Sequence, residues 1–90
     1  MQECYVGESF PLKFKIKLDA DETATVDSGQ FEVWLGDELM QSGTLALAED
    51  GHTVSFRFIA TKPGVHEIRL TWRIGQDHWA QPFLMKVSEL

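Results

Sequence analysis

The sequence predicts an all-β sandwich, and three observations carry that prediction. Apolar and polar residues alternate with period two along residues 9–18. Turn dipeptides built on glycine or proline recur at short intervals along the chain. No stretch of helical length carries an apolar stripe at a 3.6-residue repeat. Short strands separated by regular turns form a sandwich or a barrel, and the punctuation places about seven of them, near residues 2–6, 9–18, 31–36, 39–48, 52–60, 65–75 and 78–88.

Gly7 separates a short first strand from the second. In that second strand Phe10, Leu12, Phe14, Ile16 and Leu18 alternate with Ser9, Pro11, Lys13, Lys15 and Lys17, so one face is buried and the other carries lysine. Residues 19–30 are polar and predict a long loop, with room for a short strand at Thr23–Val26. Gly36-Asp37 links the strand ending at Leu35 to one starting near Leu39. Asp50-Gly51 suits a type I′ hairpin turn, in which both central residues take positive φ. Leu47 then faces Val54, Leu45 faces Phe56, and Gly43 faces Phe58, leaving room for its ring. Lys62-Pro63-Gly64-Val65 suits a type II turn. A last hairpin turning at Gln76-Asp77 sets Ile74 opposite Trp79, Leu70 opposite Phe83 and Glu67 opposite Lys86. A slip of one residue there would turn one apolar set outward. The strands at 2–6, 9–18 and 52–60 are expected in one sheet and those at 31–36, 65–75 and 78–88 in the other, with 39–48 bridging them or at an edge.

The 90 residues suffice for a single domain spanning 1–90. Fourteen acidic and eight basic side chains give a net charge of −6, which argues against nucleic acid or an anionic membrane as partner. One cysteine excludes an internal disulfide. No signal peptide is read at residues 1–8. A native Met1 therefore implies cytoplasmic synthesis, and an excised module implies an extracellular parent.

The runs YVGESFPLKFKIKL, FEVWLGDELMQSG and EDGHTVSFRFIATKPGVHEIRLTW, followed by an alternating last strand, resemble the immunoglobulin-like β-sandwich modules of bacteria and their phages. Pro63-Gly64-Val65-His66-Glu67-Ile68 is similar to the start of strand F in those modules, and Gly7 to the break between strands A and B. The resemblance implies an immunoglobulin-like antiparallel β-sandwich. It departs from antibody domains in lacking the two inter-sheet cysteines, with Phe14, Leu70 and Trp72 standing in that region. It also implies a non-catalytic role as spacer, adhesion unit or phage head or tail accessory protein. The chain is accordingly expected not to be an enzyme and to need no cofactor, with another protein or a second copy of itself as partner.

Candidate sites are few. Trp34 points outward if Phe31, Val33 and Leu35 point inward; with the faces reversed it is a core tryptophan. Tyr5, Ile59 and Leu84 are further outward apolar residues, and a cluster of these with Trp34 would make a docking surface. An exposed tryptophan would equally suit a carbohydrate-binding module. Trp72 and Trp79 read as core. Lys13, Lys15 and Lys17 form a stripe that Arg57 joins if its strand pairs with theirs. Such a stripe faces an acidic partner or protects a sheet edge from aggregation. Asp19, Asp21, Glu22 and Asp27 supply oxygens for calcium, without EF-hand spacing. His52, His66 and His78 lack zinc-site spacing. There is no nucleophile elbow, and Cys4 has no neighbouring base in sequence.

Overall fold

The computed structural model describes residues 1–17 and 24–90. Among them are eight strands: β1 (Gln2–Tyr5), β2 (Ser9–Lys15), β3 (Ser28–Leu35), β4 (Glu38–Thr44), β5 (Ala46–Leu47), β6 (Thr53–Ile59), β7 (Gly64–Ile74) and β8 (Asp77–Ser88). They form two sheets, one in the order β1-β8-β7-β3-β4 and one in the order β2-β6-β5. This is an immunoglobulin-like sandwich: the smaller sheet has the B-E-D order and the larger contains the G-F-C order of that fold.

The core lies where the two inner faces meet. Phe56 and Phe58 of β6 face β3 and β7; Phe56 stacks on Phe31 at 4.0 Å and Phe58 meets the His66 ring edge-on at 6.0 Å. Val33, Val54, Ile68, Leu70, Met85 and Val87 fill the layer and are buried. Leu70 therefore holds the core place expected of it, whereas Phe14 and Trp72 are half-buried at its margin.

The alternation along β2 appears as read, with Leu12 and Ile16 buried and Lys13, Lys15 and Lys17 exposed. Leu18 lies outside the described residues. Ala24–Asp27 form no strand, and Thr23 is likewise outside the described residues. The region expected as one strand over 39–48 bridges the sheets. It runs as β4 beside β3, crosses at the buried Leu45 and continues as β5 beside β6.

The residues 2–6 belong to the larger sheet, not to the smaller one. Gly7, at φ 96, turns the chain between layers, and β1 pairs parallel to β8 with Cys4 opposite Val87. Gly43 pairs with Phe31 rather than facing Phe58, and it is the Phe31 ring that fills the space a Cβ would occupy.

The β7–β8 hairpin is paired two residues away from the expected register, with Ile74 opposite Asp77, Trp72 opposite Trp79 and Ile68 opposite Phe83. Gly75, at φ 62, takes the first central position of the turn, where a positive φ suits a type II′ hairpin. An even shift keeps every side chain on its face, so the apolar pattern is satisfied by both registers. Glu67 consequently faces Leu84 and not Lys86, and its carboxylate accepts from Arg69 on the same strand. Gly64 opens β7 at φ 131, far from the roughly +80° of a type II turn.

At Asp50-Gly51 the Leu47–Val54 pairing holds, but only Gly51 has positive φ. A type I′ turn is replaced by a wider loop closed by the Asp50 side chain. Its carboxylate accepts from the His52 and Thr53 backbone N–H groups at 2.8 and 2.9 Å and from the Thr53 hydroxyl at 2.7 Å. These bonds, led by the His52 N–H, lower the Asp50 carboxyl from 3.8 to about 2. A depressed carboxylate stabilises the fold above its unfolded pKa, and that contribution is lost as pH falls through the folded value. Asp50→Ala should therefore have a urea midpoint that falls less between pH 4 and about pH 2 than the parent's. Equal slopes for the two proteins over that window would count against the role assigned to this carboxylate.

Candidate functional site

Two unequal sheets leave part of one uncovered. The smaller sheet lies over β7 and β3, with β2 reaching β8 through Phe14 and Phe83, whose rings are 4.6 Å apart. Beyond β2, the inner side of β8 and β1 borders an open groove of about 620 Å³ lined by Met1, Gln2, Leu12, Phe14, Ile68, Phe83, Leu84 and Met85, of which Leu12, Ile68 and Met85 are themselves buried. The same inequality explains why Trp79, expected in the core, is 53% exposed, and why Gln81 beside it on β8 is exposed too.

The wall of this groove is the free edge of β2. The Ile16 N–H donates to the His52 carbonyl at 2.7 Å, and the Ala60 N–H to the Glu8 carbonyl at 3.0 Å. In an antiparallel ladder bonded and non-bonded pairs alternate. Residues 10, 12, 14 and 16 therefore aim their backbone groups at β6, while Ser9, Pro11, Lys13 and Lys15 aim theirs away from it. Among the described residues no strand pairs with that side. Pro11 has no N–H, which is tolerable at an open edge, so Lys13 and Lys15 carry adjacent unpaired donors and acceptors. Their side chains lie on the outer face of the smaller sheet. Arg57, directly opposite Pro11, joins them there and reaches the Ser9 hydroxyl at 3.4 Å. Lys17 follows just past the strand. The four basic residues thus come together as expected if β2 and β6 pair.

The opposite edge of β6 is closed by a residue that sequence reading passed over. β5 is too short to pair with Arg57 and Ile59. Gln41 of β4 supplies the missing bonds: its amide nitrogen donates to the Arg57 carbonyl at 2.6 Å and its oxygen accepts from the Ile59 N–H at 3.2 Å. A side-chain amide here acts as one peptide unit and ties the two sheets together. No local pattern marks it, because it depends on where the chain changes layer.

Trp34, Tyr5, Ile59 and Leu84 are not brought together in one cluster. Trp34 and Leu84 share the outer face of the larger sheet, with Glu67 between them in one row. Tyr5 lies on the edge strand β1. Ile59 is on β6 in the other sheet. Phe31 and Val33 are buried and Leu35 half-buried, so Trp34 points outward. It is not bare, however. The Arg69 guanidinium sits 5.0 Å from the ring centroid, and the indole N–H donates to Glu32 at 3.3 Å. A capped, half-buried tryptophan is a poor sugar platform.

Of the calcium candidates, Asp19, Asp21 and Glu22 lie outside the described residues. Asp27 accepts from the Gly75 N–H at 2.7 Å, pinning the β7–β8 turn. Among the described residues no group of three His, Cys, Asp or Glu side chains is placed to hold a metal. His66 is buried, with Nδ1 3.1 Å from the Gly64 carbonyl oxygen. Cys4 is buried as well. Desolvation, and then the charge of Glu8, raise its thiol pKa, opposite to what a nucleophile needs.

No family model and no curated protein matches this chain. Among solved structures, an engineered protein superposes with a TM-score of 0.76 at 10% identity, over 97% of this chain and 18% of its own. A candidate glycoside hydrolase from Bacteroides vulgatus superposes with a TM-score of 0.58 at 16% identity, over 98% of this chain and 17% of its own. The chain spans less than a fifth of either protein. At such identities the likeness is one of fold, and the fold it shows is the β-sandwich.

Proposed function

We propose that the chain is a non-catalytic protein-interaction module that docks through the free edge of β2 and the groove beside it. The observation that supports this reading is the coincidence of unpaired backbone groups at Lys13 and Lys15 with two openings under the same edge that share Phe14 and Phe83, an apolar one toward Leu12 and one toward Ile16 that also holds Trp72 and Gln81. Backbone pairing supplies affinity at such an edge and the openings supply selectivity. Assignment to a phage particle rests on the sequence resemblance alone.

Lys13→Pro separates the edge from the fold. Its lost N–H points away from β6, so the ladder within the smaller sheet is preserved. Affinity capture with mass spectrometry, alongside size exclusion with light scattering, should give a partner or self-association with the parent chain and not with Lys13→Pro, at unchanged circular dichroism. Identical partners for both proteins, or a strict monomer without any partner, would contradict the proposal.

A second reading, as a carbohydrate-binding module, draws on the exposed Trp79 beside Trp72. Tryptophan emission that stays constant across a glycan panel would remove it.

A further inference from the structure

We infer that the occupant of the β2 edge is an extended segment of another protein in which acidic and apolar residues alternate. This inference rests on the docking reading above and names the class of partner. In a strand added to β2, residues opposite Lys13 and Lys15 would place their side chains on the same outer face, about 5 Å from the lysine stems. Carboxylates at those positions pair with both ammonium groups, while lysine or arginine there would be repelled. The alternate residues of the added strand point to the other face. Those nearest Leu12 and Phe14 enter the groove beside Phe83, whose described lining has no charged side chain, and this selects valine, leucine or phenylalanine there; one beyond Phe14 meets Trp72 and Gln81.

The same geometry disfavours a second copy of β2. Two β2 edges paired antiparallel would bring Lys13 and Lys15 of one chain against those of the other, and like charges directly opposite are destabilising. The chain's net charge of −6 does not exclude an acidic partner. Charges farther than about 8 Å from the edge are screened at physiological salt; nearer, the Asp50 carboxylate is bonded to the Thr53 hydroxyl opposite Lys15, against which stand Lys13, Lys15 and Lys17. Arg57, on the neighbouring strand of the same face, adds to their charge.

The test uses two synthetic nine-residue peptides, one alternating Glu and Val, the other Lys and Val, and a scrambled form of the first. Binding is read by fluorescence anisotropy and by amide chemical shifts of the full chain. The Glu/Val peptide should bind, shift the Lys13 and Lys15 amides, and exceed the Lys/Val and scrambled peptides by roughly tenfold or more. In Lys13→Glu/Lys15→Glu the preference should invert, and in Lys13→Pro both peptides should lose binding.

Equal binding of the two alternating peptides at β2 would overturn the acidic assignment while leaving the docking edge in place. If no peptide shifts β2 but Lys13→Pro still abolishes capture of a natural partner, this inference fails and the docking reading stands. If neither peptides nor Lys13→Pro have any effect, both fail.

Discussion

Truncation of Phe58 to alanine is expected to cost about 3–5 kcal/mol, a large share of the roughly 5–15 kcal/mol available to a domain of ordinary stability. Phe58 has no exposed surface. Its ring touches Phe10 at 5.8 Å on the neighbouring strand and meets His66 edge-on across the sandwich. Removing it opens a cavity between the sheets that backbone on both sides, held by ladder bonds, cannot close. Phe14→Ala removes a ring of the same size from the margin, where Phe14 is half-buried beside the open groove, and should cost clearly less. Denaturant titration would show it: the Phe58→Ala midpoint should fall well below that of Phe14→Ala, with the slope unchanged. Equal losses would mean that the core is not centred on β6.

Gly51→Ala should be the most damaging of the turn substitutions, at about 2–3 kcal/mol. Gly51 has φ 75, and a Cβ there would lie 2.5 Å from Thr25 Cγ2 and 2.9 Å from Thr25 Cβ. The chain on either side is anchored, since the Val26 N–H donates to the Gly51 carbonyl at 2.8 Å and Asp50 clamps His52 and Thr53. Relief by local movement would therefore break those bonds. Gly75, at φ 62, has nothing within 4 Å of its missing Cβ, so Gly75→Ala should show only the left-handed backbone strain of about 1–2 kcal/mol. A thermal melt comparing the two variants checks the ranking, and equal melting temperatures would refute the contact with Thr25.

What the sequence made legible was what local physics decides. The faces of β2 followed from alternation, because a strand with one wet face must alternate. The Leu47–Val54 pairing followed from the turn at Asp50-Gly51, although the turn opened into a loop held by Asp50. The β7–β8 register was missed by two residues for a definite reason: both registers bury the same side chains, and the turn that fixes the pairing, with Gly75 at positive φ, leaves no mark in the alternation. The parallel pairing of β1 with β8 joins opposite ends of the chain and leaves no local mark. Trp34 could not be oriented from Phe-Glu-Val-Trp-Leu, a run apolar toward both faces; Arg69 and Glu32, which cover it, come from the row formed with β7.

The candidate site was half legible. The lysine stripe was visible and its union with Arg57 followed once β2 and β6 were paired. The groove was not, because Leu12, Phe14, Phe83 and Met85 look like any other inward residues. Only the mismatch of a five-stranded sheet with a three-stranded one leaves Phe14 and Phe83 half-buried beside the buried Leu12 and Met85. Gln41 was missed for the same kind of reason, since its value lies in where β5 stops.

The open edge of β2 is the centre of this account, and amide hydrogen exchange in the free protein tests it most directly. Ladder parity predicts that the Leu12, Phe14 and Ile16 amides, bonded to β6, exchange slowly, while those of Lys13 and Lys15 between them exchange orders of magnitude faster. Protection of Lys13 and Lys15 equal to that of Phe14 would mean that the edge is already occupied, and would contradict the account.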